Sequence, residues 1–410
     1  MTDHRVPHPF GRLAAALAYP NFRILWAGAF TSSIGTWMQS VAQSWLVLTL
    51  TGSAFYLGLD AFLGQFPVML FALLGGVVAD RYDRRRILLV SQAIQLVSAF
   101  SLAVLVALGA VRIWHILALS FMTGTAQAFG GPAYQSLLPS LVDRRDLPAA
   151  IAFNSVQFNL ARVIGPLAAG LALAAFGSAA CFGLNGVSYL AVVVALLMVR
   201  LPRAVPPPPR PVRQELAEGL AYVRHEPSLI SYMVLAFVTT SLGTSVLTLL
   251  PLLVKQVFGG GAGDYSRMMA FSGAGAVVGA LASAVLGRYR QMGRTALAVL
   301  AALGGLIVAF ALSRVALTSH VLLFFIGAAL LVVHSALIST VQLVASDQMR
   351  GRVMSIYLMA FRGGMPIGAL ASGYVATLTS APAALALNGA LLIVAAAIGL
   401  RRAPRPDVFG

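Results

Sequence analysis

The chain has 410 residues, 59% of them hydrophobic and 10% charged, with a mean hydropathy of +0.87. Soluble domains are about half apolar and a quarter charged, so this composition excludes a water-soluble fold and defines an integral membrane protein. The 28 Lys and Arg against 12 Asp and Glu give a net charge of +16; in a membrane chain that excess points to cytoplasmic loops and not to nucleic acid.

The N-terminal stretch before Pro20 holds only a short apolar run and no cleavage site, so the first span is expected to be retained as its own targeting signal. Cys181 is the single cysteine, which excludes an intrachain disulfide. A helix that crosses the bilayer needs about 20 apolar residues. Cutting the chain at charges, prolines and glycine clusters predicts twelve spans, near 23–50, 54–79, 87–109, 113–138, 151–175, 179–200, 229–255, 265–287, 295–313, 319–345, 353–378 and 382–400.

In the first span Thr36, Gln39, Ser40 and Gln43 recur at helical spacing and form one polar face. That face is costly against lipid, so it is expected to line a central cavity or meet another helix. Trp37 and Trp45 are placed either to stack on a planar substrate or simply to pack. In the second span Asp60 is the one carboxylate well inside the membrane, a functional position by default. It serves either proton coupling or cation binding, or else sits in a wet vestibule with no coupling role.

The junction "GGVVADRYDRRRILLV" follows, with six charged residues between Asp80 and Arg86. The fifth span carries "ARVIGPLAAG" and the eleventh "FRGGMPIGALASG"; Arg162 precedes Pro166 by four residues, as Arg362 precedes Pro366. The two arginines either line a positive cavity, paired with backbone carbonyls or Asp60, and hold an anionic substrate, or they snorkel or brace a proline kink. Between the sixth and seventh spans, four consecutive prolines predict extended backbone. Beyond them, Leu216, Leu220 and Val223 lie opposite Glu215, Glu218 and Arg224, the pattern of an amphipathic helix on the membrane surface or of a solvated linker. His334, near the middle of the tenth span, either bonds a backbone carbonyl or relays protons with Asp60.

With the N-terminus placed in the cytoplasm, 21 cations fall on the inner side and four on the outer, which favours that orientation and an even number of spans. Matching Arg–Pro pairs, and a weaker echo of the 80–86 cluster in "GRYRQMGR", indicate duplicated six-span halves, a transporter architecture with substrate bound between them. The halves are expected at 1–200 and 229–410, with a linker at 201–228. No phosphate loop, metal-ligand cluster or nucleophile–base set is present in the sequence, so neither an enzyme nor an ATP-driven pump is expected.

"GGVVADRYDRRR" resembles the major facilitator superfamily signature between spans two and three, Gly-x-x-x-Asp-Arg-x-Gly-Arg-Arg. Gly76, Asp80, Arg81, Arg84 and Arg85 fall on it, and Asp83 stands where the pattern has glycine. "NFRILWAGAFTSSIGTWMQSVAQSWLVLTLTGSA", "NLARVIGPLAAG", "LAYVRHEP" and "RGRVMSIYLMAF" are similar to the exporter branch that includes enterobactin exporters. "GPLAAG" also resembles the fifth-span signature of drug/proton antiporters: Gly165, Pro166 and Gly170 match, while Ala169 departs.

The resemblance implies an all-α membrane protein with twelve transmembrane helices in two six-helix bundles. It implies a monomeric secondary transporter of the bacterial inner membrane with both termini cytoplasmic, without cofactor or metal. Its partners would be protons, the lipid bilayer and a small organic solute, siderophore-like or drug-like, exported by alternating access. The alternatives are a broad multidrug or macrolide efflux pump, and a non-transporting receptor or scaffold on the same fold. The resemblance further implies that Asp80, with Arg81 and Arg85, reaches the start of span eleven near residues 352–356. There it would meet a positive helix end and latch the outward-open state.

Overall fold

A backbone in hydrocarbon must satisfy its own hydrogen bonds, and an uninterrupted helix does so within one segment. The computed structural model describes residues 15–199, 212–286 and 292–402, and its regular elements there are all helical. In chain order they are α1 (Pro20–Thr51), α2 (Ala54–Arg81), α3 (Arg84–Ala107) and α4 (Ile113–Leu137). The stretch Leu147–Met198 breaks at Gly177, φ 75° and ψ −176°, into α5 (147–176) and α6 (178–198). Then come α7 (Val212–His225), α8 (Pro227–Val257), α9 (Ala262–Leu286), α10 (Met292–Leu312), α11 (Ala316–Val344), α12 (Arg350–Leu378) and α13 (Ala381–Arg402). All but α7 are spans, twelve in number. The prolines of the linker and most of "GRYRQMGR" lie outside the described residues.

Eight stretches are apolar and long enough to cross a membrane on composition alone, and Leu147–Met198 among them is two spans. The remaining three, α1, α4 and α9, have 32, 25 and 25 residues. Their length suffices; their apolar windows are diluted by side chains that meet other helices.

The halves repeat one pairing scheme. α1 packs on α5, α2 on α4 and α3 on α6; correspondingly α8 packs on α12, α9 on α11 and α10 on α13. Across the halves α2 meets α12 and α5 meets α9, the same pair exchanged. Glycines set how closely these helices approach. A Cβ on Gly58 of α2 would lie 2.5 Å from the Ala369 carbonyl oxygen and 3.2 Å from Gly373 Cα of α12. On its other side α12 presents Gly364 and Gly368 to a π-helical turn of α8, Thr239–Gly243, where a Cβ would collide with Thr240 and Ser241. Such bulges alter helix direction locally, and here the glycines let α12 seat in the widened turn.

One apolar core runs through the second half as far as Val223 of α7 and crosses into the first half at the end remote from α7. It joins Met38, Val41 and Leu57 to Leu249, Leu253 and Tyr265, and Trp45 stacks on Tyr265 with centroids 6.1 Å apart. A second core at the α7 end belongs to the first half alone, with Phe22, Leu25, Leu88, Leu141 and Leu196. The halves therefore share buried apolar side chains at the far end, while at the linker end each keeps a core of its own.

Gly368→Ala should cost about 1–3 kcal/mol by forcing α12 from the α8 bulge. Gly76→Ala, where a Cβ meets nothing within 4 Å, should be neutral or slightly stabilising. Thermal unfolding of both variants in detergent checks the contrast.

Candidate functional site

The polar face of α1 is partly consumed inside the first half. Gln43 Nε2 donates to both carboxylate oxygens of Asp60, at 3.0 and 2.9 Å, and Ser120 Oγ of α4 donates to Oδ1 at 2.5 Å. Asp60 is 8% exposed and lies about 9 Å along α2 from its far end, at 1.5 Å per residue. The chain of bonds continues inward. Gln39 Nε2 reaches Gln43 Oε1 at 3.5 Å, Asn185 Nδ2 of α6 donates to Gln39 Oε1 at 2.7 Å, and Ser188 Oγ donates to Asn185 Oδ1 at 2.9 Å. Thr36 donates to the Ser32 carbonyl and shares a 3.2 Å contact with the Tyr189 hydroxyl. Four helices thus hold one polar thread through an apolar bundle, as buried polar groups require partners.

Asp60 has neutral partners. Neither Arg162 nor Arg362 pairs with it, contrary to one of the expected arrangements, because the carboxylate points into the first half between α1 and α4. Neutral partners suit both protonation states. The ionised carboxylate accepts from Gln43 and Ser120; the protonated one can donate to the Ser120 oxygen as that hydroxyl turns.

Arg162 instead lies over Trp37, its Cζ 5.6 Å from the ring centroid, a cation–π arrangement. Trp37 meets Phe158 edge-on at 6.2 Å, and Phe158 is 53% exposed. Gly165 fixes this group from behind: its Cα faces Trp37 Cβ and the Ile34 carbonyl, leaving no room for a side chain. Pro166 is buried, and Gly170 meets Ser266 of α9, to which a Cβ would stand at 3.0 Å. The three residues of the fifth-span motif therefore appose α5 to α1 and to α9. Arg362 is exposed and has no partner among the described residues.

His334 departs from both expectations. It stacks against Phe361 at 4.0 Å, with Tyr357 next in line at 6.5 Å. Its Nδ1 and the Tyr357 hydroxyl are buried without partners, so it neither bonds a carbonyl through Nδ1 nor connects to Asp60.

The loop between α2 and α3 resolves into separate tasks. Asp83 caps α3, accepting from the backbone N–H of Arg85 at 2.8 Å and of Arg86 at 3.4 Å. Its φ of −61° is ordinary, which explains why an aspartate serves where the superfamily has glycine. Arg84 donates to the Ser136 carbonyl at 2.9 Å and Arg85 to the Leu197 carbonyl at 2.8 Å, tying the loop to α4 and α6. The packed glycine is Gly75, set against the Ala128 carbonyl, while Gly76 has open space.

Asp80 and Arg81 are exposed and unpaired among the described residues, so the expected latch to α12 is not closed. Arg352, at the start of α12, pairs with Glu218 of α7 at 2.8 Å. α7 is held there by Gly219 against Arg352, by Val223 in the core, and by the Tyr222 hydroxyl accepting from Ser346 N–H at 3.3 Å. The amphipathic helix thus lies on the second half, which buries Val223 and leaves Leu220 exposed.

Two halves of like-paired helices give the chain the fold of the major facilitator superfamily, which solved membrane transporters share. Among solved structures, the POT family transporter PepTSo superposes with a TM-score of 0.74 at 16% identity, covering 93% of this chain and 97% of that one. A bacterial homologue of the lysosomal transporter Spinster, inward-facing and unoccupied, gives 0.69 at 17%, covering 93% and 92%. The pattern of the Transmembrane secretion effector family matches residues 12–407, and the chain belongs to that family. It is 25% identical to the Staphyloferrin A transporter of Staphylococcus aureus, over 85% of this chain and 87% of that protein. It is 27% identical to Enterobactin exporter EntS of Shigella boydii, over 93% and 92%. Macrolide efflux protein A of Streptococcus pyogenes is 22% identical, over 92% and 94%.

Sequence reasoning missed Ser120, Phe158, Asn185 and Tyr189. Asn185 carried a signal, a lone amide in the apolar run "CFGLNGVSYL"; a serine such as Ser120 is too common in spans to stand out. Asn185→Leu should strand the Gln39 carbonyl and lower stability by about 1–3 kcal/mol, read as a lower melting temperature of the purified protein.

Proposed function

We propose that the chain is a proton-driven exporter of a small anionic, aromatic or drug-like solute across the bacterial inner membrane, working by alternating access with both termini in the cytoplasm. The observation that carries this reading is the Arg162–Trp37–Phe158 group, a cation over a half-buried indole ring beside the exposed ring of Phe158. It offers a guanidinium for a catecholate or carboxylate and a ring for a planar body. Relatives named as siderophore transporters and as a macrolide efflux protein support that substrate class. With the positive-inside orientation, the lack of a shared core at the linker end supports reading this conformation as inward-open, ready to load from the cytoplasm.

Asp60 supplies the coupling. Proton uptake from outside neutralises a carboxylate held between three helices, and its release resets the thread from Gln43 to Ser188. When the cytoplasmic side closes, Asp80 approaches α12 and takes Arg352 from Glu218, so the latch forms by exchange of partners and the charge is never left alone. A broad efflux pump remains the second reading, favoured by the macrolide relative.

Two experiments test this. Inside-out proteoliposomes with an acidic lumen should accumulate catecholate or hydroxycarboxylate siderophores. Asp60→Asn should abolish the dependence on the pH gradient while leaving solute binding intact; undiminished gradient-driven transport in Asp60→Asn would remove the coupling assignment. Asp80→Asn should insert normally but slow turnover about tenfold, the scale of one lost charged contact, measured as initial rate per inserted protein. An unchanged rate would leave the loop with a purely topogenic role.

A further inference from the structure

Within the first half, α2 and α3 hardly touch each other; each leans on α4. The gap between them is a groove of about 740 Å³. Val78 of α2, Ile87, Val90 and Ile94 of α3, and Phe121 and Phe129 of α4 line it. It opens at the linker end beside Tyr82 and Arg86, and from Arg86 to Ile94 it descends about 12 Å into the bilayer at 1.5 Å per residue.

The polar side chains in its floor are already used. Ser91 Oγ donates to the Ala126 carbonyl at 2.8 Å, and Thr125 Oγ1 donates to the Phe121 carbonyl at 2.8 Å. The groove therefore presents apolar surface, suited to a hydrocarbon chain and unsuited to a catecholate or sugar.

The mouth carries the opposite character. Of the four arginines in the loop, Arg84 and Arg85 are tied to backbone carbonyls, and Arg81 does not line the groove. Arg86 does, with its side chain 86% exposed and only a 4.0 Å approach to Asp83. Asp83 in turn is engaged in capping α3. Arg86 is thus the one arginine of the loop that lines the groove, beside Asp83, which also lines it and pairs with Arg86 only at 4.0 Å.

We infer that this groove is a binding site for an anionic phospholipid of the linker-side leaflet, one acyl chain lying between α2 and α3 and the phosphate on Arg86. The leaflet's negative surface potential favours such a lipid, and a chain in the groove fills the gap beside the loop that bears Asp80. The inference does not depend on the proposed substrate or coupling ion.

Native mass spectrometry of the full chain, released from nanodiscs of equimolar phosphatidylglycerol and phosphatidylcholine, tests it. Wild type should retain phosphatidylglycerol about fivefold over phosphatidylcholine, the scale of one arginine near an anionic headgroup. Arg86→Gln should bring the ratio to about one at unchanged helicity, and Arg86→Lys should restore most of it. Val90→Trp, which fills the groove, should reduce retention of both lipids. Arg112→Gln, a charge removed at the far end, should change nothing. Equal retention by wild type, or a preference that survives Arg86→Gln, overturns the inference. So does displacement of both lipids by a macrolide to the same extent with and without Arg86, which would mark the groove as a solute site.

Discussion

The close approach of α2 and α12 at Gly58 and Gly373 governs this structure. Two helices that meet backbone to backbone can carry no bulky side chain at the crossing, so the contact is closest at the far end and runs on to Met69 and Gly363 near the middle of both helices. Nothing comparable joins the halves near α7, and the second apolar core there belongs to one half alone. With that asymmetry go the unpaired Asp80 and the pairing of Arg352 with Glu218. A contact of this kind suits rocking, because packed interfaces of small residues favour a few discrete arrangements over continuous deformation.

The twelve spans were legible because the bilayer imposes a length on apolar runs, and the internal duplication was legible because arginine and proline recur at the same spacing. Both rest on constraints local in sequence. The partners of Asp60 were not legible: Gln43 and Ser120 come from two other helices, and register between helices is set by packing. The same reason explains why the arginines were misjudged as partners for Asp60. Composition says that a buried carboxylate needs company, but only geometry says that neutral amides and a hydroxyl provide it. His334 failed in the opposite sense, since its ring found an aromatic stack that no periodicity had marked.

The loop between α2 and α3 shows how a motif dissolves into separate physical tasks. Read as a string, its six charges looked like one device. In the fold, Asp83 caps a helix, Arg84 and Arg85 brace neighbouring helices, Arg86 faces the lipid groove, and Asp80 waits without a partner. The departure from the superfamily pattern at Asp83 is tolerated because a capping side chain does there what a flexible backbone would otherwise do.

Gly177 joins α5 and α6 with no intervening loop. A longer connection would let each helix move alone; a single residue makes the pair a lever. α5 bears on α9 in the opposite half, while α6 bears on α3. Tilting of the second half is therefore transmitted through one peptide corner to the outermost helix of the first, beside the lipid groove. The groove beside α3 is in this way mechanically linked to the second half.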